Sequence, residues 1–293
     1  MKPFLPFTFV IILAALISSC QKEASQAPAA KLPATPLQTN SLAVVPTSGL
    51  AYTVNLGMID YYPFHGDAAD VSGHGHTGNR LSLLVPPDFS NTLPPPSPTA
   101  NKYGIPDEAF LFNGISDEIE STTPVFDASA AQTQFCFYAR YKSNGTGTLI
   151  SSGTIGNPGT TGFELTVEKD EILFYWSDNF PGAPGTSPGR FFALSTGAAP
   201  LAACTNSWVD IALNFTYPVL TMYINGKQVA AANAQTSPLP GFPQPGHFGA
   251  NLRVGCTSNG VNRFSNFFNS AIDEVRIYNR PLTTDEISYL YAH

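Results

Sequence analysis

Residues 208–230 leave this chain little freedom in how it folds. Val209, Ile211, Leu213 and Phe215 alternate with polar or small neighbours, and Leu220, Met222 and Ile224 repeat the pattern in the next run. A period of two sends alternate side chains to one face, which is the mark of a half-buried β-strand. Asn225-Gly226 supplies the residues that tolerate φ > 0 in a tight turn, and Gln228-Val229-Ala230 runs back, so the stretch predicts a hairpin. A lone hairpin cannot bury its apolar face, so it demands a larger sheet. The same period recurs upstream. Phe135, Phe137, Ala139 and Tyr141 alternate with Cys136, Tyr138 and Arg140, predicting a half-buried strand; Phe163, Leu165 and Val167 lead to a turn at Lys169-Asp170, and residues 172–176 return. Shorter β-prone runs lie at 58–64, 81–85, 149–150, 191–194, 252–255 and 272–278, and a strand–turn–strand unit surrounds Asn113-Gly114. Roughly a dozen strands at this spacing predict an all-β antiparallel sandwich or barrel. Residues 86–106 are proline-rich and read as an irregular surface insertion.

The two ends read differently. Asn279-Arg280-Pro281 halts the last strand, and Thr283 with Glu286 has the spacing of a capping box, predicting a short C-terminal helix. Leu282 and Ile287 are placed to form its hydrophobic staple. At the other end, Met1-Lys2 precedes an apolar run over 4–17 that is too short for a permanent span. Ile17-Ser18-Ser19-Cys20 resembles a bacterial lipobox. This implies a signal peptide over 1–19 and lipidation of Cys20. Residues 20–50, rich in Ala, Pro, Thr, Ser and Gln, read as a flexible tether, which leaves 51–293 as one domain. The expected location is therefore the bacterial cell envelope, at the outer membrane, held by lipid alone. Fourteen Lys and Arg against 21 Asp and Glu, with no basic stripe, argue against a nucleic-acid partner. In an oxidising compartment the turn-flanked Cys204 and Cys256 are expected to form a disulfide, while Cys136 reads as a small buried residue.

Four stretches, in order, resemble the LamG-like members of the concanavalin A-like lectin/glucanase superfamily. They are residues 62–78, rich in Gly, Asp and His; Asn101-Lys102-Tyr103-Gly104 with residues 109–114; residues 208–213 with 220–227; and residues 272–282. The resemblance implies a two-sheet antiparallel jelly-roll sandwich with the short C-terminal helix as closure. His74 and His76 stand where that family usually carries Asn, and the Pro/Gly loops at 86–98, 180–189 and 238–246 have no counterpart in it.

The resemblance also frames the chemistry. Glucanases of the superfamily set carboxylates in an E-x-D-x-E array along one strand. Here Glu118-Ile119-Glu120 has the alternation and Asp117 adjoins it, but the order is absent. Asp273 and Glu274, as neighbours on a regular strand, would face opposite ways. No Ser-His-Asp grouping, phosphate loop or zinc spacing appears, so the expectation is a protein that is not an enzyme. Related domains often bind calcium, and Asp70 and Ser72 with Asp273 from the last strand form the expected Ca²⁺ set; the bland alternative is that Asp70 caps a turn. His74-Gly75-His76 lacks a third ligand and reads as two solvated loop histidines. A sugar-stacking platform is expected at Trp176 and Tyr175 near the Pro/Gly loops, with Phe180, Phe191, Phe264, Phe267 and Phe268 nearby in the pattern. The expected function is non-catalytic binding of a glycan or a cell-surface protein. The alternatives are a glycoside hydrolase of the same superfamily and a structural or adhesion module.

Overall fold

The computed structural model describes residues 51, 53–83, 93–127, 132–154, 161–169, 171–178, 190–202, 204–233, 249–258 and 264–293. The expected signal peptide, Cys20, the tether and Phe180 lie outside them. The described strands are β1 (Met58–Tyr62), β2 (Gly78–Ser82), β3 (Ser97–Thr99), β4 (Ala109–Leu111), β5 (Asp117–Pro124), β6 (Gln134–Lys142), β7 (Gly147–Gly153), β8 (Gly162–Glu168) and β9 (Glu171–Asp178). There follow β10 (Arg190–Ser195), helix α1 (Ala199–Ala202), β11 (Trp208–Thr216), β12 (Val219–Ile224), β13 (Lys227–Asn233), β14 (Asn251–Val254), β15 (Thr257–Ser258), β16 (Phe264–Ser265), β17 (Ala271–Tyr278) and helix α2 (Thr284–Ala292).

Fifteen of these strands form two antiparallel sheets, and β15 pairs with β16 in a separate two-stranded one. The first runs β13-β12-β11-β6-β17-β4-β3, with β1 also paired to β17; the second runs β10-β9-β8-β7-β14-β5-β2. The period-two residues meet between them. Phe135, Phe137, Ala139 and Tyr141 of β6, Val209, Ile211, Leu213 and Phe215 of β11, and Ile272, Val275 and Ile277 of β17 pack against Ile119, Phe163, Leu165, Phe174, Leu252 and Val254 of the second sheet. Phe137 stacks on Phe163 with ring centroids 4.4 Å apart. The result is the jelly-roll sandwich that the residue pattern and the resemblance predict. The Asn225-Gly226 turn takes φ of 49° and 76°, as a tight hairpin requires.

One strand departs from its expected pattern. β6 is buried on both faces, because Cys136 and Tyr138, which would meet water in a simple sandwich, join a second apolar layer with Ala212, Tyr223, Tyr278, Val54, Leu282, Ile287 and Leu290. Helix α2 builds that layer. Thr283 is its N-cap, Glu286 completes the capping box, and Leu282 and Ile287 are both buried under it as the staple predicts. The proline-rich insertion also holds an element its composition hides: Ser97–Thr99 forms β3, the outermost strand of the first sheet. Pro98 is tolerated there because an edge strand needs fewer ladder donors.

Candidate functional site

Register places a continuous row of side chains on the outer face of the second sheet. Ile119 and Val254 are core residues, so their neighbours Glu120 and Arg253, paired across β5 and β14, face outward. Arg253 pairs with Ser151, Ser151 with Glu164, and Glu164 with Tyr175, so the row crosses five strands. Glu118 shares the outward side of β5 with Glu120, giving the alternation that the sequence suggests. Arg253 occupies both carboxylates: its Nη2 lies 2.5 Å from Glu120 and its Nε 3.4 Å from Glu118. The Cys256 thiol donates to Glu118 at 2.9 Å, and burial raises the Glu118 pKa, opposed by Cys256 and Arg253. Hydrolysis of a glycoside needs two carboxyl groups facing one substrate groove. Here Glu118 is 1% exposed, and its Oε2 faces both Arg253 and Cys256. Glu168 ends β8 at the turn opposite Glu171, away from that pair.

The chain after Cys256 closes over part of this face. Phe264 lies under the Arg253 guanidinium at 5.2 Å, and the Asn266 amide reaches Glu164 at 3.1 Å, Thr148 at 3.0 Å and Thr166 at 2.9 Å. Tyr175 stands further along the row and is half-buried. Burial raises its phenol pKa, and Glu168, Glu164 and Glu171 add to the effect. A tyrosine flanked by carboxylates offers a ring face together with acceptors for sugar hydroxyls. Trp176 does not share that position. The next residue on a strand faces the other way, so Trp176 is 1% exposed in the core, 5.0 Å from Phe215 and 6.2 Å from Phe135. The expected Trp176 platform is therefore corrected, and of the two residues only Tyr175 faces outward. Phe268 is likewise buried, while Phe264 and Phe267 are partly exposed.

The loop from 65 to 78 is organised by Asp70. One carboxylate oxygen accepts the N–H groups of Tyr61 at 3.1 Å and Ser72 at 2.8 Å; the other accepts Gly75 at 2.9 Å and His76 at 3.0 Å. Burial alone would raise the Asp70 pKa, but the Ser72 hydroxyl and these backbone donors outweigh it and hold it below its ordinary value. Ser72 Oγ donates to the Ile59 carbonyl at 3.0 Å. The structure also brings in a residue that the sequence reading missed. Asp60, fully buried on β1, lies 2.5 Å from His76 Nδ1 and accepts the Tyr62 hydroxyl at 3.2 Å. Burial pushes Asp60 up to about 7 against the opposing pull of His76. Its signal was present: Asp60 and Tyr62 pair with the core residues Ile277 and Val275, so an acid occupies an inward position of a short strand.

Asp60, Asp70 and His76 bring three potential metal-ligand atoms within 4.8 Å of one another. The chemistry fits calcium poorly. A carboxylate has about four acceptor positions, and Asp70 fills four with N–H groups. His76 would contribute nitrogen where calcium takes oxygen. Asp273, the third member of the expected set, is not in this group.

Asp273 instead faces Arg140 and Asp210 under α2. Strand β17 slips register between Asp273 and Arg276, and Glu274 takes a φ of 54°. This β-bulge resolves the acidic pair. Ile272 and Val275 both enter the core, while Asp273 and Glu274 both lie outside it, contrary to the alternation expected of a regular strand. Arg140 pairs with Asp210 at 2.8 Å and donates to the Leu290 carbonyl of α2 at 3.2 Å, and Arg276 pairs with Glu274. Burial, then Glu274, raises Asp273 to about 8.

The expected Cys204–Cys256 bridge is also corrected. Cys256 is a free, buried thiol facing Glu118, whereas Cys204 sits against Asn225 of the β12–β13 turn in the other sheet. Cys136 is the small buried residue the sequence predicts.

Comparisons with known proteins add to this geometry. A family model described as the concanavalin A-like lectin/glucanases superfamily matches residues 113–288. Domain 4 of AbnA, a GH43 extracellular arabinanase from Geobacillus stearothermophilus solved with arabinotriose, superposes with a TM-score of 0.55 at 20% identity, covering 80% of this chain and 98% of that one. The binding domain of Paraclostridial Mosquitocidal Protein 1 gives 0.55 at 14% identity, covering 81% and 52%. The binding domain of Botulinum Neurotoxin DC, solved with SialylT, gives 0.50 at 16%, covering 82% and 52%. The chain thus spans about half the length of each toxin binding domain. No curated protein matches the sequence significantly.

Proposed function

Because the chain belongs to the concanavalin A-like lectin/glucanases superfamily, we propose that residues 51–293 bind carbohydrate without transforming it. The domain would be carried at the bacterial cell envelope, on the outer membrane, by a lipid on Cys20. The observation that carries the reading is Tyr175, half-buried on the outer face of the second sheet beside Glu164. Two solved neighbours of the same fold, domain 4 of an extracellular arabinanase and a toxin binding domain, are complexes with arabinotriose and with SialylT, which supports binding as the use of this sandwich. Calcium is no part of the proposal, since Asp70 is filled by backbone donors.

The test is a glycan array probed with the full chain in detergent micelles. A sugar-dependent signal that falls about tenfold in Tyr175→Ala and survives in Tyr175→Phe is the expected result, since base- or sugar-to-ring contact is carried by the ring. An array without any sugar-dependent signal supports the structural or adhesion alternative. Release of reducing sugar that Glu118→Gln abolishes would establish the hydrolase alternative instead.

A further inference from the structure

A concave site lies on the side of the sandwich, away from Tyr175. Both arms of the Asp70 loop, Gly66-Asp67-Ala68-Ala69 and Thr77-Gly78, join Asn79 and Arg80 of β2 and Pro95 around a cleft of about 350 Å³. That volume is within the range of small-ligand sites. β2 is the edge of the second sheet and β3, just after Pro95, is the edge of the first, so the cleft opens where the two sheets end together.

The cleft has rigid walls. The four N–H groups on Asp70, the Tyr62 hydroxyl on the His76 carbonyl at 2.6 Å, and the Gly78 N–H on the Ala68 carbonyl at 2.8 Å hold the two arms together. Gly78 is required there, because a Cβ would meet Ile119 at 2.5 Å. By contrast, the Arg80 guanidinium is unspent. On β2, Arg80 pairs with the core residue Ile119 and Asn79 with the outward Glu120, so of the two only Arg80 turns inward, and among the described residues no hydrogen bond or ion pair engages it. The Arg80 guanidinium lies 4.9 Å from the centroid of the buried Phe110 ring, which orients it without using its donors. Asp67 uses one oxygen on the Ala69 N–H at 3.0 Å and leaves the other as an acceptor. The cleft therefore offers one held guanidinium and one carboxylate oxygen able to take hydroxyl protons.

We propose that this cleft binds a sugar ring bearing a carboxylate, with Arg80 pairing the carboxylate and Asp67 contacting hydroxyls. A guanidinium matches a carboxylate in a bidentate, charge-assisted pair, whereas a neutral sugar leaves that fork unpartnered. The inference deepens the carbohydrate reading but uses a different site.

The experiment is titration of the full chain in detergent micelles with D-glucuronate and, separately, with D-glucose, followed by saturation-transfer NMR and calorimetry. Glucuronate is expected to bind at least about tenfold more tightly than glucose, and less tightly as salt rises. Arg80→Ala should abolish the preference and Arg80→Lys should keep only part of it, while Tyr175→Ala leaves it intact. Arg80 is exposed, so thermal melts of these variants should match the parent. Equal affinity for the two sugars, no binding of glucuronate, or a preference indifferent to Arg80→Ala overturns the proposal. Array signals that depend on Tyr175 would survive any of those results, so failure here is distinguishable from failure of the general reading.

Discussion

Asp70 shows how one side chain can hold a loop that has no regular structure. Its carboxylate satisfies four backbone donors, drawn from β1 and from both halves of the turn-rich segment. Asp70→Ala leaves those donors without a partner, and water can reach only some of them because the loop is partly buried. The expected cost is about 2–4 kcal/mol, since an unsatisfied buried donor costs about 1–3 kcal/mol and part of the loop can rehydrate. Asp70→Asn retains one acceptor oxygen and should lose about half as much. Urea denaturation of both variants measures the difference, and equal midpoints for parent and Asp70→Ala would show that the loop is held otherwise. The same residue marks the boundary of what could be read from sequence. Asp and Ser among glycines announced an oxygen-rich turn, and both the cation and the turn-capping readings were open. The Ser72 N–H, two residues on, follows from a local turn rule, but the N–H groups of Tyr61, Gly75 and His76 lie five to nine residues from Asp70 and no spacing rule supplies those.

Elements divide along the same physical line. The Asn225-Gly226 hairpin, the alternation of β6 and β11 and the cap on α2 are local, each set by residues within a few positions, and all were legible. The bulge in β17 was not. Its cause is non-local: Ile272 and Val275 both have to reach the core, and a regular strand would send one of them out. Trp176 and Tyr175 failed to separate for a related reason, because which of two adjacent residues faces the core depends on pairing with β8. Helix α2 allows a test at this scale. Glu286 closes the capping box and meets Arg280 at 2.8 Å. Burial would raise its pKa, but hydrogen bonds from Arg280 and Thr283 prevail and lower it from 4.5 to about 2. A depressed carboxylate stabilises the fold above its unfolded pKa, so this contribution is intact above about pH 4.5 and is lost as pH falls toward 2. Glu286→Gln should cost about 1 kcal/mol at pH 7 and nothing at pH 2, read from thermal melts. Thr283→Ala should cost a similar amount at both.

At the scale of the whole molecule the two sheets have different outer faces. The first is roofed by α2 and by the segment entering β1, which Arg280 grips through the Thr53 and Leu56 carbonyls at 2.6 and 2.7 Å. The roof has an electrostatic consequence. Beneath it, among the described residues, Asp210, Asp273 and Glu274 meet the guanidiniums of Arg140 and Arg276, and burial first, then the Glu274 charge, raises Asp273 to about 8. Asp60, raised to about 7 by burial beside His76, Asp70 and Tyr62, behaves alike. A carboxyl whose folded pKa lies above its unfolded value of 3.8 keeps its proton longer in the folded state. Its stabilising contribution is full below about pH 4 and declines as pH rises through 7 and 8. Glu286 imposes the opposite limit below 4.5, so melting temperature should peak on the mildly acidic side and fall toward pH 8. Asp273→Asn removes the carboxylate charge while its amide oxygen can still accept the Glu274 N–H, which the native carboxylate takes at 2.8 Å. It should therefore raise stability at pH 8 by about 1–2 kcal/mol, a shift of roughly 2–8 °C in Tm for a domain of this size, and flatten the alkaline limb. A parent melting profile that is flat between pH 5 and 8 would mean that Arg140 holds Asp273 ionised and that the roof is electrically balanced.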